Sequence, residues 1–287
     1  MASVALLLHH RRPEAVELAR LAAAWLVSEG HQVRLPEPDA EHAGLGELAC
    51  GDGELTADLD VAVSLGGDGT MLRAVDLVGD DCVPVIGVNL GHLGYLAEVE
   101  AQDLQPALAR FFAGDHEVVE RMRLRVAVEA SADAAPEQRS YPALNEAVLG
   151  KTPTGQMVRI RVVVDGEVFT TYPADGIIVA TPTGSTAYAW SAGGPIVAPD
   201  HAALLLTPVA PHMVLDRSLV LPPWASIRLE VVGDRVATLS VDGRSLGRLA
   251  AGDAITCSAA EHDARVVSFG RRGFLGILKA KFGLNGG

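Results

Sequence analysis

The residue best placed to do chemistry is Asp68, the one acid in the run GGDGT at 66–70. An apolar stretch, LDVAVSL at 59–65, leads into it, and a helical pattern, MLRAVDLV, follows. Glycines let backbone amides approach a phosphate closely, and a helix N-terminus favours negative charge. A carboxylate amid such glycines does not attract phosphate. It can orient Mg²⁺ or accept a proton from a hydroxyl nucleophile. The run is not a Walker A loop, since GK[ST] is absent, and it is not GxGxxG. The competing reading is a tight strand-to-helix turn with Asp68 as the helix N-cap.

Two further runs carry polar groups where packing alone would not ask for them. In LNEAVLGK at 144–151, Asn145 and Glu146 interrupt an apolar strand pattern. Adjacent strand residues face opposite sides, so one of the two would ordinarily be solvated. An Asn can pair with an adenine edge, and a Glu can bind ribose hydroxyls or a metal-bound water. Lys151 could meet a phosphate as a point charge, or be an ordinary surface lysine. The third run, ADGIIVATPTGSTAYAWSAGGPIV at 174–197, is the most informative. Its hydroxyls, glycines and Tyr188 read as a nucleotide cradle. Ser185 and Thr186 could instead cap a helix starting near Ala187. This run holds no GxSxG elbow. Weaker signals are His212, Arg217, Asp242 and the pair at 271–272; a hairpin turn already accounts for Asp242.

The elements that must position these residues fall into two patterns. Up to about residue 117 strands and helices alternate: VALLL at 4–8, a helical stretch after Pro13 closed by Gly30, HQVRL, the strand before GGDGT, VPVIGVN at 83–89, GHLGYL, and a helix from Asp103. This predicts a parallel sheet covered by helices. Residues 36–58 show no periodicity and read as a polar, turn-rich connection. From 118 to 268 the segments are strand-like and predict a β-rich, mostly antiparallel domain. EVVERMRLRVAVEA at 117–130 reads as one alternating stretch, followed by a hairpin tip, SADAAPEQR. Asp165-Gly166 and Asp242-Gly243 are two-residue hairpin signals. Residues 269–287 return to helical spacing and are expected to pack on the first domain.

Composition sets outer limits. The 287 residues include 23 basic and 36 acidic side chains, a net charge of −13, and 49% are hydrophobic. That supports a core and lacks the basic footprint of a general nucleic-acid binder. Only Lys151, Lys279 and Lys281 are lysines. Three scattered cysteines suit neither a disulfide framework nor a zinc site and fit a cytoplasmic protein. The run at 4–8 is too short for a signal peptide, and basic residues follow it rather than precede it. No stretch reaches the ~20 apolar residues of a membrane span.

Taken together, GGDGT at 66–70, GVNLGHLGYL at 87–96, NE at 145–146 and DGIIVATPTGSTAYAWSAGGP at 175–195 resemble the NAD kinase family, which phosphorylates the 2′-hydroxyl of the adenosine ribose of NAD. GGDGT by itself is shared with lipid kinases and phosphofructokinases; TPTGSTAY preceded by NE is much more specific. The resemblance spans nearly the whole chain. It implies an α/β N-terminal domain, a β-rich C-terminal domain and a tail returning to the first. It implies that Asp68 accepts the proton of the 2′-hydroxyl. NAD contacts would come from Asp68, Gly69, Arg73, Asn145, Glu146, Asp175, Thr183, Thr186, Ala187, Tyr188 and Ser191. Gly66, Gly67, Gly69 and Thr70, with Lys151, would face the donor, ATP or polyphosphate, with a divalent metal, Mg²⁺, on its phosphates. A homodimer or homotetramer is implied. The chain departs from the pattern at Arg217-Ser218, where relatives often have Arg-Pro, and at Pro173, where some carry a basic residue. A lipid kinase and a non-catalytic dinucleotide sensor are the alternative functions.

Overall fold

The computed structural model describes residues 1–91, 94–130, 139–153, 155–270 and 273–284, save the side chain of Asp52. His92 and Leu93 of GHLGYL, residues 131–138 of the expected hairpin tip, and Arg271 and Arg272 lie outside the described residues. The chain forms two compact units, Met1–Glu120 with Ala264–Gly287, and Arg121–Asp263.

The first unit is α/β. Its opening elements are strand β1 (Ser3–Leu8), helix α1 (Pro13–Ser28), β2 (Gln32–Pro36), α2 (Glu37–Ala43), β3 (Ala49–Cys50) and α3 (Asp52–Leu55). After them come β4 (Val61–Gly66), α4 (Asp68–Val78), β5 (Val85–Asn89), β6 (Val99–Glu100), α5 (Leu104–Phe112) and β7 (Glu117–Arg121). The sheet order is β3-β2-β1-β4-β5, then the late strand Ala264–Ser268, then β7, with β6 also on β5. β1 pairs in parallel with both β2 and β4, and β4 with β5. Every residue of β1 and β4 is buried, as continuous apolar runs in a sheet covered on both faces should be. Helix α1 supplies Ala15, Ala19, Ala22 and Leu26 to that core, much the face its spacing predicts.

The order reverses between β1 and β4, because the chain leaves β1 towards β2 and leaves β4 towards β5. That reversal is the switch point at which open α/β sheets leave a crevice beyond their strand ends. The loops carrying His9–Arg12 and Gly67–Asp68 follow these two strands directly.

Three readings of the sequence change here. Residues 36–58 are not a bare connection. They hold α2, which ends at Gly44 in the left-handed region at φ 66, the edge strand β3 and a short α3. Helix α2 buries Asp39, Ala40 and Ala43, an acid and two methyl groups, so it shows no apolar stripe. The stretch at 117–130 is two strands in two sheets, broken at Met122-Arg123. Residues 264–268, grouped by pattern with the β-rich half, join the first sheet beside β5. Glu98 ties this return: it accepts the Ser268 hydroxyl at 2.9 Å and the Phe269 N–H at 3.2 Å.

The second unit contains β8 (Leu124–Glu129), β9 (Ser140–Ala143), β10 (Glu146–Lys151), β11 (Val158–Val164), β12 (Glu167–Ala174) and β13 (Gly176–Ala180). A short helix α6 (Tyr188–Ser191) precedes β14 (Leu204–Val209), β15 (Leu219–Leu221), β16 (Ile227–Val232), β17 (Ala237–Val241), β18 (Arg244–Leu249) and β19 (Ala254–Ala259). Two six-stranded sheets result, ordered β15-β14-β13-β10-β17-β18 and β12-β11-β16-β19-β8-β9. The first contributes Leu149, Ile177, Val179 and Leu239 to a shared core, and the second Val126, Ile160, Leu229 and Ile255. Strands β8 and β16 alternate buried and less buried residues, as a half-covered antiparallel strand does. β13 is buried throughout, because Ala189 and Val197 cover the face that carries Ile178 and Ala180. The segment after β13 is therefore fastened over the sheet.

Both Asp-Gly pairs form two-residue hairpins. Asp165 and Gly166 have φ 51 and 86, and Asp242 and Gly243 have φ 47 and 78, the signs a type I′ turn requires.

Replacing Glu98 with alanine strands the Phe269 N–H and loosens the late strand. A loss of about 1–3 kcal/mol in urea unfolding is expected, and an unchanged midpoint would contradict the tie.

Candidate functional site

In the first unit the chemistry gathers beyond β1, β4 and β5, in a cleft of about 480 Å³. Leu8, His9, His10 and Arg12 line it from the first strand, and Gly66–Thr70 with Arg73 from the second. Asn89, Gly94 and Lys281, the last from the C-terminal helix Phe274–Lys281, complete it. Helix α4 begins at Asp68, and its N-cap is Gly67 with no side-chain cap. Asp68 is therefore not the cap. Its carboxylate turns to the loop after β5, where Tyr95 N–H donates to Oδ2 at 2.9 Å and Leu96 N–H to Oδ1 at 3.1 Å. A Cβ on Gly94 would sit 2.1 Å from Asp68 Oδ1, so only glycine lets that loop close on the acid.

The remaining charge in this cleft is basic. Arg12 donates to the Leu90 carbonyl. Arg73 pairs with Asp39 and donates to the Leu8 carbonyl at 3.0 Å. Asp39, 1% exposed, also accepts the Leu8 N–H at 2.7 Å and lies 2.6 Å from His10 Nε2. This buried acid, in a segment that looks featureless in sequence, is what holds Arg73. Lys281 Nζ stands 4.3 Å from the Tyr95 ring centroid. Burial, and then the charge of Asp68, push the Tyr95 phenol above its ordinary value, so it stays neutral at pH 7. His9, His10, Arg12 and Lys281 were missed as site residues. The available signal was the run HHRR directly after a buried parallel strand. No group of three or more His, Cys, Asp or Glu that could cage a metal occurs among the described residues.

In the second unit the NE pair sits at the head of β10. Glu146 is buried and Asn145 only partly so, which matches the expectation that one of the pair faces solvent. The Tyr188 N–H donates to the Glu146 carboxylate, while Oε2 is buried without a partner. Burial first, and the charge of Asp242 second, raise this carboxyl from 4.5 to about 8. The backbone around it is gripped on both sides. Asp242 accepts the N–H groups of Leu144, Asn145 and Glu146 at 2.7, 2.8 and 3.0 Å. Thr181 N–H donates to the Asn145 carbonyl at 2.9 Å, and its hydroxyl to the Leu144 carbonyl at 2.5 Å. A Cβ on Gly184 would lie 2.1 Å from the Asn145 carbonyl oxygen.

TPTGSTAY forms a short 3₁₀ turn at Thr183–Thr186 and then α6. Neither Ser185 nor Thr186 caps α6, whose N-cap is Ala187. Ser185 is buried and exchanges hydrogen bonds with both backbone groups of Val197. The Thr183 hydroxyl is buried without a partner, and Tyr188 and Ser191 are exposed. Glu146 Oε2 and the Thr183 hydroxyl are two of several buried polar atoms without a partner, and a polar ligand at either would complete its bonding. Lys151 closes β10. Its ammonium is 2.7 Å from the Asp175 carboxylate, while Lys151 N–H bonds the Asp175 carbonyl. The His212 N–H bonds the Pro173 carbonyl, and Arg217 forms an exposed pair with Asp216.

Comparison with known proteins agrees with this geometry. Residues 4–116 match the ATP-NAD kinase N-terminal domain and residues 144–269 the ATP-NAD kinase C-terminal domain. The chain is 41% identical over 285 residues to the NAD kinase of Heliobacterium modesticaldum, covering 98% of both chains. It is 38% identical to that of Symbiobacterium thermophilum, covering 98% of this chain and 99% of the other. Among solved structures, yeast NADH kinase complexed with NADH matches in fold at TM-score 0.92 and 24% identity, over 100% of this chain and 89% of that one. An NAD kinase from Archaeoglobus fulgidus in complex with ATP matches at TM-score 0.74 and 25% identity, over 99% and 98%. With both family domains matched in order and relatives aligned end to end, the chain belongs to the NAD kinase family.

Proposed function

We propose that this chain transfers the γ-phosphoryl group of ATP to the 2′-hydroxyl of the adenosine ribose of NAD, giving NADP. The observation that carries the reading is Asp68. It is a carboxylate anchored by two backbone N–H groups in a cleft whose Arg and Lys residues are Arg12, Arg73 and Lys281, within a chain of net charge −13. Such an acid suits a hydroxyl nucleophile, and such cations suit the phosphates of the donor.

In-line transfer needs little covalent chemistry from the protein; it needs position and charge. Asp68 accepts a hydrogen bond from the 2′-hydroxyl and takes its proton as the new oxygen–phosphorus bond forms and the γ-phosphorus separates from the β–γ bridging oxygen, which leaves with ADP. The anchors from Tyr95 and Leu96 keep the carboxylate from turning away. Gly66, Gly67, Gly69 and Thr70 bring backbone amides to the transferring group, and Arg12, Arg73 and Lys281 offset charge on the donor. A divalent ion on the donor's phosphates fits this cleft. Mg²⁺ keeps much of its shell as water and phosphate oxygens and asks the protein for one or two carboxylates, and Asp68 is the carboxylate available among the described lining residues. When bound, the ion would screen charge on the leaving phosphates.

Asn145, Glu146, Thr183, Thr186, Ala187, Tyr188 and Ser191 are assigned to the dinucleotide. Lys151 is assigned with them through its pair with Asp175, rather than to the donor. Inorganic polyphosphate as an alternative donor, reduced NAD as an alternative acceptor, assembly as a homodimer or homotetramer and a cytoplasmic location complete the proposal. The three cysteines are free, which suits a reducing compartment. No helix among the described residues is long and apolar enough to cross a membrane.

Three outcomes are expected. Asp68→Asn should lower kcat for NADP formation about 10²–10⁴-fold while calorimetric affinity for NAD stays within a few-fold; near-normal turnover would remove Asp68 as the base. Arg12→Ala should raise KM for ATP about tenfold, the scale of one charge-assisted bond, and leave KM for NAD unchanged. An equal rise in both would place Arg12 elsewhere in the reaction. The third outcome concerns Glu146. Its folded value lies above its unfolded one, so its contribution is fully present below the unfolded value and is lost as pH rises through about 8. Glu146→Gln removes that loss. Urea midpoints of wild type and variant should diverge from pH 5 to pH 9 in favour of the variant, whereas parallel curves would contradict the assignment.

A further inference from the structure

The hairpin turn accounts for Asp242's backbone and leaves its carboxylate unexplained. A type I′ turn needs φ above zero at Asp242 and Gly243. It does not need three successive N–H groups from another segment. Asp165, in the other Asp-Gly hairpin, supplies the comparison: its carboxylate accepts one backbone N–H, from Ser226 at 2.8 Å. Asp242 takes those of Leu144, Asn145 and Glu146, and its own N–H returns to the Glu146 carbonyl at 3.0 Å.

We propose that Asp242 is a positioning residue for the dinucleotide site, gathering these three N–H groups so that Asn145 and Glu146 are presented to the ligand. The proposal rests on the NAD kinase reading and deepens it. Three convergent donors leave the loop no freedom to rotate a peptide unit without stranding a buried N–H. Thr181 and Gly184 fix the carbonyl side of the same residues, so the pair is held from both faces. The arrangement also sets a charge beside Glu146. The groups facing that carboxyl are Asp242, from the β17–β18 hairpin, and the Tyr188 backbone N–H, from the start of α6. The first opposes ionisation of Glu146 and the second favours it. Asp242 thus acts on the site twice, by geometry and by charge, without touching the ligand.

The test compares wild type with Asp242→Asn and Asp165→Asn, in NADP formation and in calorimetric binding of NAD between pH 5 and pH 9. Asp242→Asn should raise KM for NAD at least tenfold with kcat at saturating NAD within a few-fold. The pH midpoint of NAD binding should move down by a measurable fraction of a unit, because the charge opposing Glu146 is gone. Asp165→Asn, with the same turn chemistry, should change neither. Asp242→Gly, which suits a positive φ and removes the carboxylate, serves if the amide variant does not fold, and should show the same shift in pH midpoint with a larger rise in KM. If Asp242→Asn keeps wild-type KM and midpoint, or if both hairpin variants lose only thermal stability, the positioning role is overturned. A wild-type chain that makes no NADP would instead fail the reading on which the role rests.

Discussion

The constraint on which this structure depends is that a carboxylate withdrawn wholly or partly from water must be given donors. The chain carries 36 acidic side chains and puts several of them to structural use. Asp39 accepts Leu8 N–H and pairs with Arg73, Asp68 accepts two N–H groups from the loop after β5, and Asp242 accepts three from the loop before β10. Each of these contacts joins segments far apart in sequence. An acid used in this way behaves as a clamp: it converges backbone amides that have no partner in their own strand or helix. Losing one partner would leave a buried charge or a buried N–H uncompensated, which costs more than the bond itself is worth. Asp39 and Asp242 thus fix segments that bear the chemistry without reacting themselves, whereas Asp68 is both a clamp and the proposed base.

Glu146 is the exception, and the exception is informative. It is buried like Asp39, yet one of its oxygens has no partner and its carboxyl is pushed up to about 8. The fold bonds Asp39 fully and leaves this acid incomplete, and the Thr183 hydroxyl is likewise buried without a partner. An incomplete buried carboxyl at the head of β10 is a group that a bound ligand would satisfy. Held neutral at pH 7, Glu146 can donate as well as accept. That suits ribose hydroxyls, which also do both.

Much of this was legible in the sequence because glycine, helix and strand periodicities are local properties. VALLL, VAVSL and GIIVA announced buried strands, GGDGT announced a strand-to-helix turn, and both Asp-Gly pairs announced hairpins. The helix at 37–43 was not legible, because it buries an aspartate and two alanines and shows no apolar stripe. The strand at 264–268 looks like its antiparallel neighbours; only partners distant in sequence, β5 and Glu98, decide which sheet it joins. Lys151 reads in sequence as a phosphate contact or a surface lysine; its ion pair with Asp175 follows from the β10–β13 register, which no local pattern announces. Asp242 was set aside for another reason. Its local explanation was sufficient, so the three donors arriving from about a hundred residues away had no signature in its own neighbourhood.

The net charge of −13 gains its meaning from the same distinction between local and global. Over distances beyond a Debye length, about 10 Å at 0.1 M salt, an acidic surface offers a polyphosphate little attraction. Within the cleft of the first unit the sign is reversed, with Arg12, Arg73 and Lys281 set against a single lining carboxylate among the described residues. The reversal is built by the switch point, which places HHRR after β1 alongside the glycines after β4, and by Asp39, which secures Arg73 from beneath. Arginine suits such a place better than lysine, because its fork can hold a carbonyl or carboxylate on one edge and leave other donors for a phosphate. A chain that has almost no lysine outside its last residues has thus placed arginines where two partners must be met at once, and its acidic exterior leaves affinity for the donor to contacts made inside the cleft.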